Sequence, residues 1–162
     1  MRFRLLDRII DLRAGETITA VRKLIGDEEY LQDHFPLFPV MPGALMLEAL
    51  FQASAWLVRV TEDFSTAVVW LKEVPSTKFQ GFVQPGEELH VAAEIVKHDD
   101  TLTTLKAKGT VNNDTVVVAR LVLERFNLAD RYPPRAKTDY YMRRKFRAEF
   151  RRLYAGVIES VC

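Results

Sequence analysis

Thiols are almost absent from this 162-residue chain, whose one cysteine is Cys162. An intrachain disulfide and a cysteine-built metal site are therefore both excluded, and a reducing compartment fits. Net charge is nearly absent as well: 23 Lys and Arg stand against 22 Asp and Glu, which does not read as a nucleic-acid binder. Long hydrophobic runs are missing. The longest, Ala44 to Val58, is short for a membrane span and contains Glu48 and Gln52. The opening Met-Arg-Phe-Arg-Leu-Leu-Asp-Arg alternates charged and apolar residues, without the apolar core of a signal peptide. Repeats and low-complexity tracts are also missing, and together these absences lead us to expect a cytoplasmic protein with no membrane span.

What is present suffices for a core: 48% of the residues are hydrophobic and 10% aromatic, which suits one domain of ordinary size plus an appendage. Residues 3–12 and 17–25 are apolar and β-branched runs separated by Arg-Ala-Gly-Glu, a turn composition. The stretch 26–31 suggests a short helical turn. Residues 44–60 are rich in Ala, Leu, Met, Glu and Gln and are apolar around the whole cylinder, so they predict a helix buried on nearly all sides. Segments 67–73, 76–83, 87–98, 101–112 and 114–126 then read as five strands. Turn signals divide them at Val74-Pro75, Gln84-Pro85-Gly86, His98-Asp99-Asp100 and Asn112-Asn113-Asp114. One buried helix followed by a strand meander, with one or two strands ahead of it, is an α+β arrangement in which a curved antiparallel sheet wraps the helix.

The chemistry concentrates between Asp33 and Trp56. Pro36, Pro39 and Pro42 stiffen a loop that carries His34. A lone loop histidine is more often structural than catalytic, but rigid prolines would hold this ring in a fixed place. Glu48 lies inside the apolar helix, where burial disfavours its charged form and should raise its pKa. It is either paired with an arginine or exposed at an imperfect packing site, or it is a protonated general acid. Gln52, one helical turn on, can hold its carboxyl. Gly43, at the helix start, offers a free backbone N–H and close approach to a carbonyl oxygen. A base, an acid and an oxyanion donor meet the needs of proton abstraction beside a carbonyl with loss of a leaving group.

The motifs His34-Phe35-Pro36, Pro39-Val40-Met41-Pro42-Gly43, Leu47-Glu48-Ala49 with Gln52, Leu71-Lys72-Glu73-Val74, Lys78-Phe79 and Pro85-Gly86-Glu87-Glu88-Leu89 resemble those of the hotdog-fold β-hydroxyacyl-acyl-carrier-protein dehydratases of type II fatty-acid synthesis. The likeness runs through residues 3–126. It implies a long helix wrapped by an antiparallel sheet, subunits joined as a homodimer or a trimer of dimers, and a site completed across the interface. It further implies that His34 takes the C2 proton of a (3R)-3-hydroxyacyl thioester on acyl carrier protein. Glu48 would assist departure of the hydroxyl as water, Gly43 would bind the thioester carbonyl and Gln52 would support the acid. No metal and no redox cofactor is implied. Glu48 stands where the related dehydratase-isomerases usually carry Asp, which argues against isomerisation.

Leu37 and Phe38 stand where the family commonly has Gly-His, and Phe82 replaces a frequent proline. These changes could reshape the acyl tunnel, for which Phe35, Leu37, Phe38 and Met41 are the candidate lining residues. Two other readings follow, a non-catalytic hotdog acyl-binding or scaffold subunit and an acyl thioesterase. The expected domain division is a dehydratase domain at 1–126 and a basic amphipathic helical extension at 127–162. That extension holds nine Lys or Arg against four acids. After Pro133-Pro134 its residues 137–160 return to helical periodicity, with Met142, Phe146, Phe150, Leu153 and Val157 on one face and Arg143, Arg147 and Arg151 beside it. The helix is expected to pack on the domain, with docking of an acidic carrier protein as the functional alternative. His90 and His98 are assigned to a strand and a turn without a site role.

Overall fold

The computed structural model describes residues 4–158, with side chains through Tyr154. Phe3, Cys162, the last residues of the expected tail helix and the side chain of Val157 lie outside that range. The chain forms β1 (Arg8–Arg13), β2 (Thr17–Lys23), α1 (Tyr30–Asp33), α2 (Gly43–Thr61), β3 (Val68–Phe79), β4 (Glu88–His98), β5 (Leu102–Val111), β6 (Asp114–Phe126) and α3 (Ala136–Ile158). Two 3-10 turns, Leu128–Asp130 and Pro133–Arg135, precede α3.

Six antiparallel strands make one sheet in the order β1-β2-β4-β5-β6-β3. Alternation along β5 and β6 turns Thr103, Leu105, Ala107, Leu121 and Leu123 inward. Against that face lies α2, whose Ala49, Leu50, Ala53, Leu57 and Val58 are fully buried. Small residues at 49 and 53 let the helix approach the sheet, and each buried leucine contributes roughly 2 kcal/mol. By length and composition α2 could cross a membrane, yet here it is the core helix of an α+β domain. The hotdog arrangement implied by the resemblance is thus the architecture observed.

The strand meander differs in one respect from the five segments expected. Residues 67–73 and 76–83 form a single strand, β3, which ends at Phe79, and the sheet has six strands with two ahead of α2. Val74-Pro75 is no turn: the β3–β6 register shifts between Leu71 and Glu73 and again between Glu73 and Ser76. Pro75 is tolerated because β3 is an edge strand, where a missing N–H and a bulge cost least. The short helix also falls later than expected, at Tyr30–Asp33.

Beyond β6, Asp139 anchors the extension. Its buried carboxylate accepts the N–H groups of Leu128 at 2.8 Å and Ala129 at 2.9 Å. From there α3 runs across α2, placing Phe146 and Phe150 about the Trp56 ring with centroids 6.0 and 6.1 Å away, and Phe150 on Phe64 at 5.8 Å. The basic stripe is partly turned inward. Arg143 donates to Asn127 Oδ1 at 2.8 Å, and Arg147 donates to the Asp63 carbonyl at 2.9 Å while covering Phe64. His98, the last residue of β4, joins Glu62 through Nε2 and Thr103 Oγ1 through Nδ1, tying the end of α2 to the sheet.

Candidate active site

His34 caps the C-terminal end of α1, its N–H donating to the Tyr30 carbonyl at 3.1 Å. Phe35, next to it, sits at φ 50°, a left-handed conformation that costs a bulky residue about 1–3 kcal/mol. Its carbonyl accepts the Phe38 N–H at 2.8 Å, closing a tight turn. The loop is pinned at its far end, where Val40 and Met41 are buried and the Met41 N–H donates to the Val83 carbonyl at 2.9 Å. His34 Nδ1 lies 3.4 Å from the Val40 carbonyl. A carbonyl can only accept, so this contact favours the tautomer with its proton on Nδ1 and leaves Nε2 as the basic nitrogen.

Gly43 is the first residue of α2, with Pro42 as its N-cap. First-turn N–H groups lack intrahelical acceptors and point out of the helix end. A Cβ at position 43 would lie 3.0 Å from Cε1 of Phe79, so a side chain there would press on that ring. Five residues on, Glu48 is half-buried, and Gln52 Nε2 donates to its Oε1 at 3.1 Å. Gln52 is oriented in turn by Leu5, whose N–H donates to Oε1 of the amide at 2.9 Å. With the amide oxygen engaged there, the NH2 group is the end left facing the acid.

Within one chain these groups do not share a cleft. Glu48 and Gln52 line a cleft of about 240 Å³ together with Arg4, Trp56, Arg59 and Phe146, and neither His34 nor Gly43 reaches it. A larger, open hollow of about 720 Å³ lies over the outward-facing Ala92, Lys106, Val118 and Arg120 of the sheet. It holds none of the candidate residues. Of the expected tunnel residues, Phe35, Leu37 and Phe38 are exposed at the surface, with Leu37 at 100%, and Phe38 stands edge-on to Phe82 at 5.3 Å. Met41 belongs to the hydrophobic core.

Sequence reasoning missed the walls of the Glu48 cleft. Arg59 carried a signal: it is the one cation within α2 and lies eleven residues after Glu48, near three full turns, so the two share a helix face. Phe146, Glu149 and Leu153 of α3 carried none, because nothing local ties them to a helix almost a hundred residues earlier. Among the described residues, no group of His, Cys, Asp and Glu is arranged to hold a metal ion.

Residues 1–121 match the model of the FabA-like domain family. The chain is 35% identical over 116 residues to the 3-hydroxyacyl-(acyl-carrier-protein) dehydratase FabZ of Levilactobacillus brevis, covering 72% of this chain and 78% of that one. It is 32% identical over 130 residues to the Shewanella loihica protein of the same name, covering 78% and 85%. Among solved structures it is similar to the dehydratase heterocomplex ApeI:P from Xenorhabdus doucetiae, with a TM-score of 0.64, 17% identity and coverage of 78% and 86%. A hypothetical thioesterase from Streptococcus pneumoniae gives 0.58 and 13%, with coverage of 74% and 85%. At those identities the two structures speak for the fold alone, whereas the family match and the first two relatives span most of the chain. The α3 helix lies beyond the matched residues, and the chain up to it belongs to the FabA-like family, beside the 3-hydroxyacyl-acyl-carrier-protein dehydratases.

Proposed function

We infer that the protein dehydrates a (3R)-3-hydroxyacyl thioester on acyl carrier protein to the trans-2-enoyl thioester, in fatty-acid synthesis or a pathway of the same chemistry. The observation that carries this reading is the joint presence of His34, Gly43 and the Gln52-held Glu48, on a stiffened loop and a core helix, in a chain of this family. His34 Nε2 takes the C2 proton. The pair of electrons left behind forms the C2–C3 double bond, and the C3–O bond breaks. Glu48 supplies the proton with which the hydroxyl leaves as water. The Gly43 N–H steadies the negative charge that gathers on the thioester oxygen. His34 then returns a proton to solvent and Glu48 regains one, which closes the cycle without a cofactor.

The separation of His34 from the Glu48 cleft supports a site completed between two copies of the chain, one giving the base and the other the acid. The long edge strand β3 is the surface suited to join them. Among the described residues its twelve residues pair on one side only, and Trp70 and Phe79 are exposed along it. An edge of that length is a template for strand pairing. A homodimer, alone or as part of a trimer of dimers, is therefore part of the proposal, as are a cytoplasmic location and the division into a catalytic unit at 1–126 and an extension at 127–162. Phe35, Leu37 and Phe38, exposed on the single chain, would line the tunnel mouth in that dimer.

The test is the purified protein given a 3-hydroxyacyl thioester on carrier protein. Enoyl absorbance should grow, and His34→Ala and Glu48→Gln should each lower the rate at least about a hundredfold. No enoyl product from the wild type would overturn the reading. Free thiol released without enoyl would favour hydrolysis, and binding without either product would favour a scaffold subunit.

A further inference from the structure

Arg59 is a buried cation on the core helix. It is 9% exposed, and burial pushes its pKa down to about 10. Among the described residues its Nε meets no hydrogen-bond acceptor. Glu149, the carboxylate that acts on it electrostatically, is held instead by Arg4 at 3.0 Å and by Arg152 at 3.9 Å. What surrounds the guanidinium is aromatic: Phe146 at 4.1 Å and Trp56 at 5.2 Å from ring centroid to Cζ. Cation–π contact offsets only part of the desolvation of a buried charge. A buried guanidinium whose nearby carboxylate is engaged by other arginines, and whose Nε has no partner among the described residues, has donor capacity left over, and it lines the cleft that contains Glu48.

The cleft has a direction. Glu48, Gln52, Ala55 and Arg59 all line it, and their spacing places them in one stripe along α2. Glu48 and Arg59 are about 16 Å apart along the helix axis. One end of the stripe holds the proposed acid and the other a cation with an unpartnered Nε, with Gln52 and Ala55 between them. Arg4, Arg59, Glu48 and Glu149 are the charged residues that line the cleft, and Glu149 is shared by Arg4 and Arg152, so among the described residues Arg59 forms no ion pair of its own.

We propose that this cleft receives the distal part of the acyl chain and that Arg59 binds a carboxylate at its end, making the substrate a medium- or long-chain 3-hydroxyacyl thioester with an acidic terminus. This rests on the dehydratase reading for the position of the reacting carbons beside Glu48. The arginine then discriminates by pairing: a carboxylate satisfies it, whereas a methyl-ended chain leaves it buried and unmatched. A short chain cannot span the stripe and gains nothing from the charge. Phe146, from an extension outside the family match, lies against the guanidinium and helps to hold it in place.

The experiment uses the full-length protein and saturated acyl pantetheine thioesters, which bind but do not react. Two pairs are compared, medium-chain and short-chain, the members of each differing only in ending with methyl or carboxylate. Calorimetry should show the carboxylate-ended medium chain binding on the order of tenfold tighter than its methyl-ended twin, with no such preference in the short pair. Arg59→Met should erase the preference and keep the affinity for the methyl-ended chain, while Arg59→Lys should retain part of it. Equal affinity within the medium pair in the wild type overturns the proposal, as does a preference that persists in Arg59→Met. The wild-type comparison decides alone if the methionine variant fails to fold. Enoyl formation from a short 3-hydroxyacyl thioester is read separately, so a failed dehydratase reading is distinguishable from a failed Arg59.

Discussion

Gln52 and Glu48 share one hydrogen bond of 3.1 Å across a single turn of α2, and the amide that makes it is itself aimed by the Leu5 N–H. The acid is thus positioned from the N-terminal segment through an intermediary. Gln52→Glu should replace the donor with a second carboxylate and set like charges one turn apart. We expect kcat to fall by about a hundredfold, the scale of a misplaced catalytic group, with KM little changed. Gln52→Met, which keeps the length and loses the donor without adding a charge, should fall less. Equal activity in both variants and the wild type would remove Gln52 from the machinery.

Gly43 and Phe79 give a prediction of the opposite kind, about space. A Cβ on residue 43 would come within 3.0 Å of a ring that is half exposed and can swing away. Gly43→Ala should therefore alter stability by less than about 1 kcal/mol, because the strain is offset by better helix propensity. Activity should fall strongly, since the methyl group occupies the approach to the N–H. Phe79→Leu in the same chain would restore packing and not rate. If it restored the rate, the fault would lie in the displaced ring.

Arg59 can also be read through stability. Its folded pKa of about 10 lies below the ordinary value of an arginine, which the unfolded chain keeps, because burial disfavours the charge. Between those two values the unfolded chain binds more protons, so stability rises with pH there; below about pH 10 the cost of burying the charge is fully present and flat. Arg59→Met should accordingly leave the protein as stable as the wild type or more so, by about 1 kcal/mol at pH 7, allowing for the lost cation–π contacts. Urea midpoints of the two proteins should keep a constant separation from pH 7 to about pH 9. A loss above about 2 kcal/mol in the variant would mark the arginine as a structural element.

The extension should prove structural before it proves anything else. With α3 in place, Trp56 and Phe64 are 6% and 7% exposed, and removal of residues 136–162 would open both to water. A chain cut there should show a clearly lower Tm and a tendency to associate. Phe146→Ala alone should cost about 2 kcal/mol, below the range for a fully buried ring because this one is half-buried. If the cut chain kept its Tm and lost only carrier-protein binding, docking would be the role of the helix.

Much of the fold was legible because its signals are local. The apolar cylinder of 44–60, the β-branched runs and the turn at Asn112-Asn113 each announce themselves within a dozen residues, and Asn112 and Asn113 do adopt the left-handed φ values of 50° and 70° that such a turn needs. Pro75 misled because a proline forbids only the middle of a sheet, and which strand lies at the edge is a property of the whole topology. In the candidate site, Glu48 and Gln52 were readable from a four-residue spacing. That Leu5 would orient the amide was not, nor that Phe146 would face Arg59, because those pairings span 47 and 87 positions in sequence.

Strand β3 has a consequence for the chain before it finds a partner. A free edge of twelve residues invites any extended segment to add to it. Pro75 offers no N–H to an incoming strand, the double shift of register around Glu73 breaks the regular row of donors and acceptors, and Lys72, Glu73 and Lys78 stand exposed along the same edge. These are the devices by which natural edges refuse misdirected pairing. The strand is thus guarded against fibre formation, while Trp70 and Phe79 leave apolar surface toward its two ends for the second copy of the chain that the proposed dimer would place there.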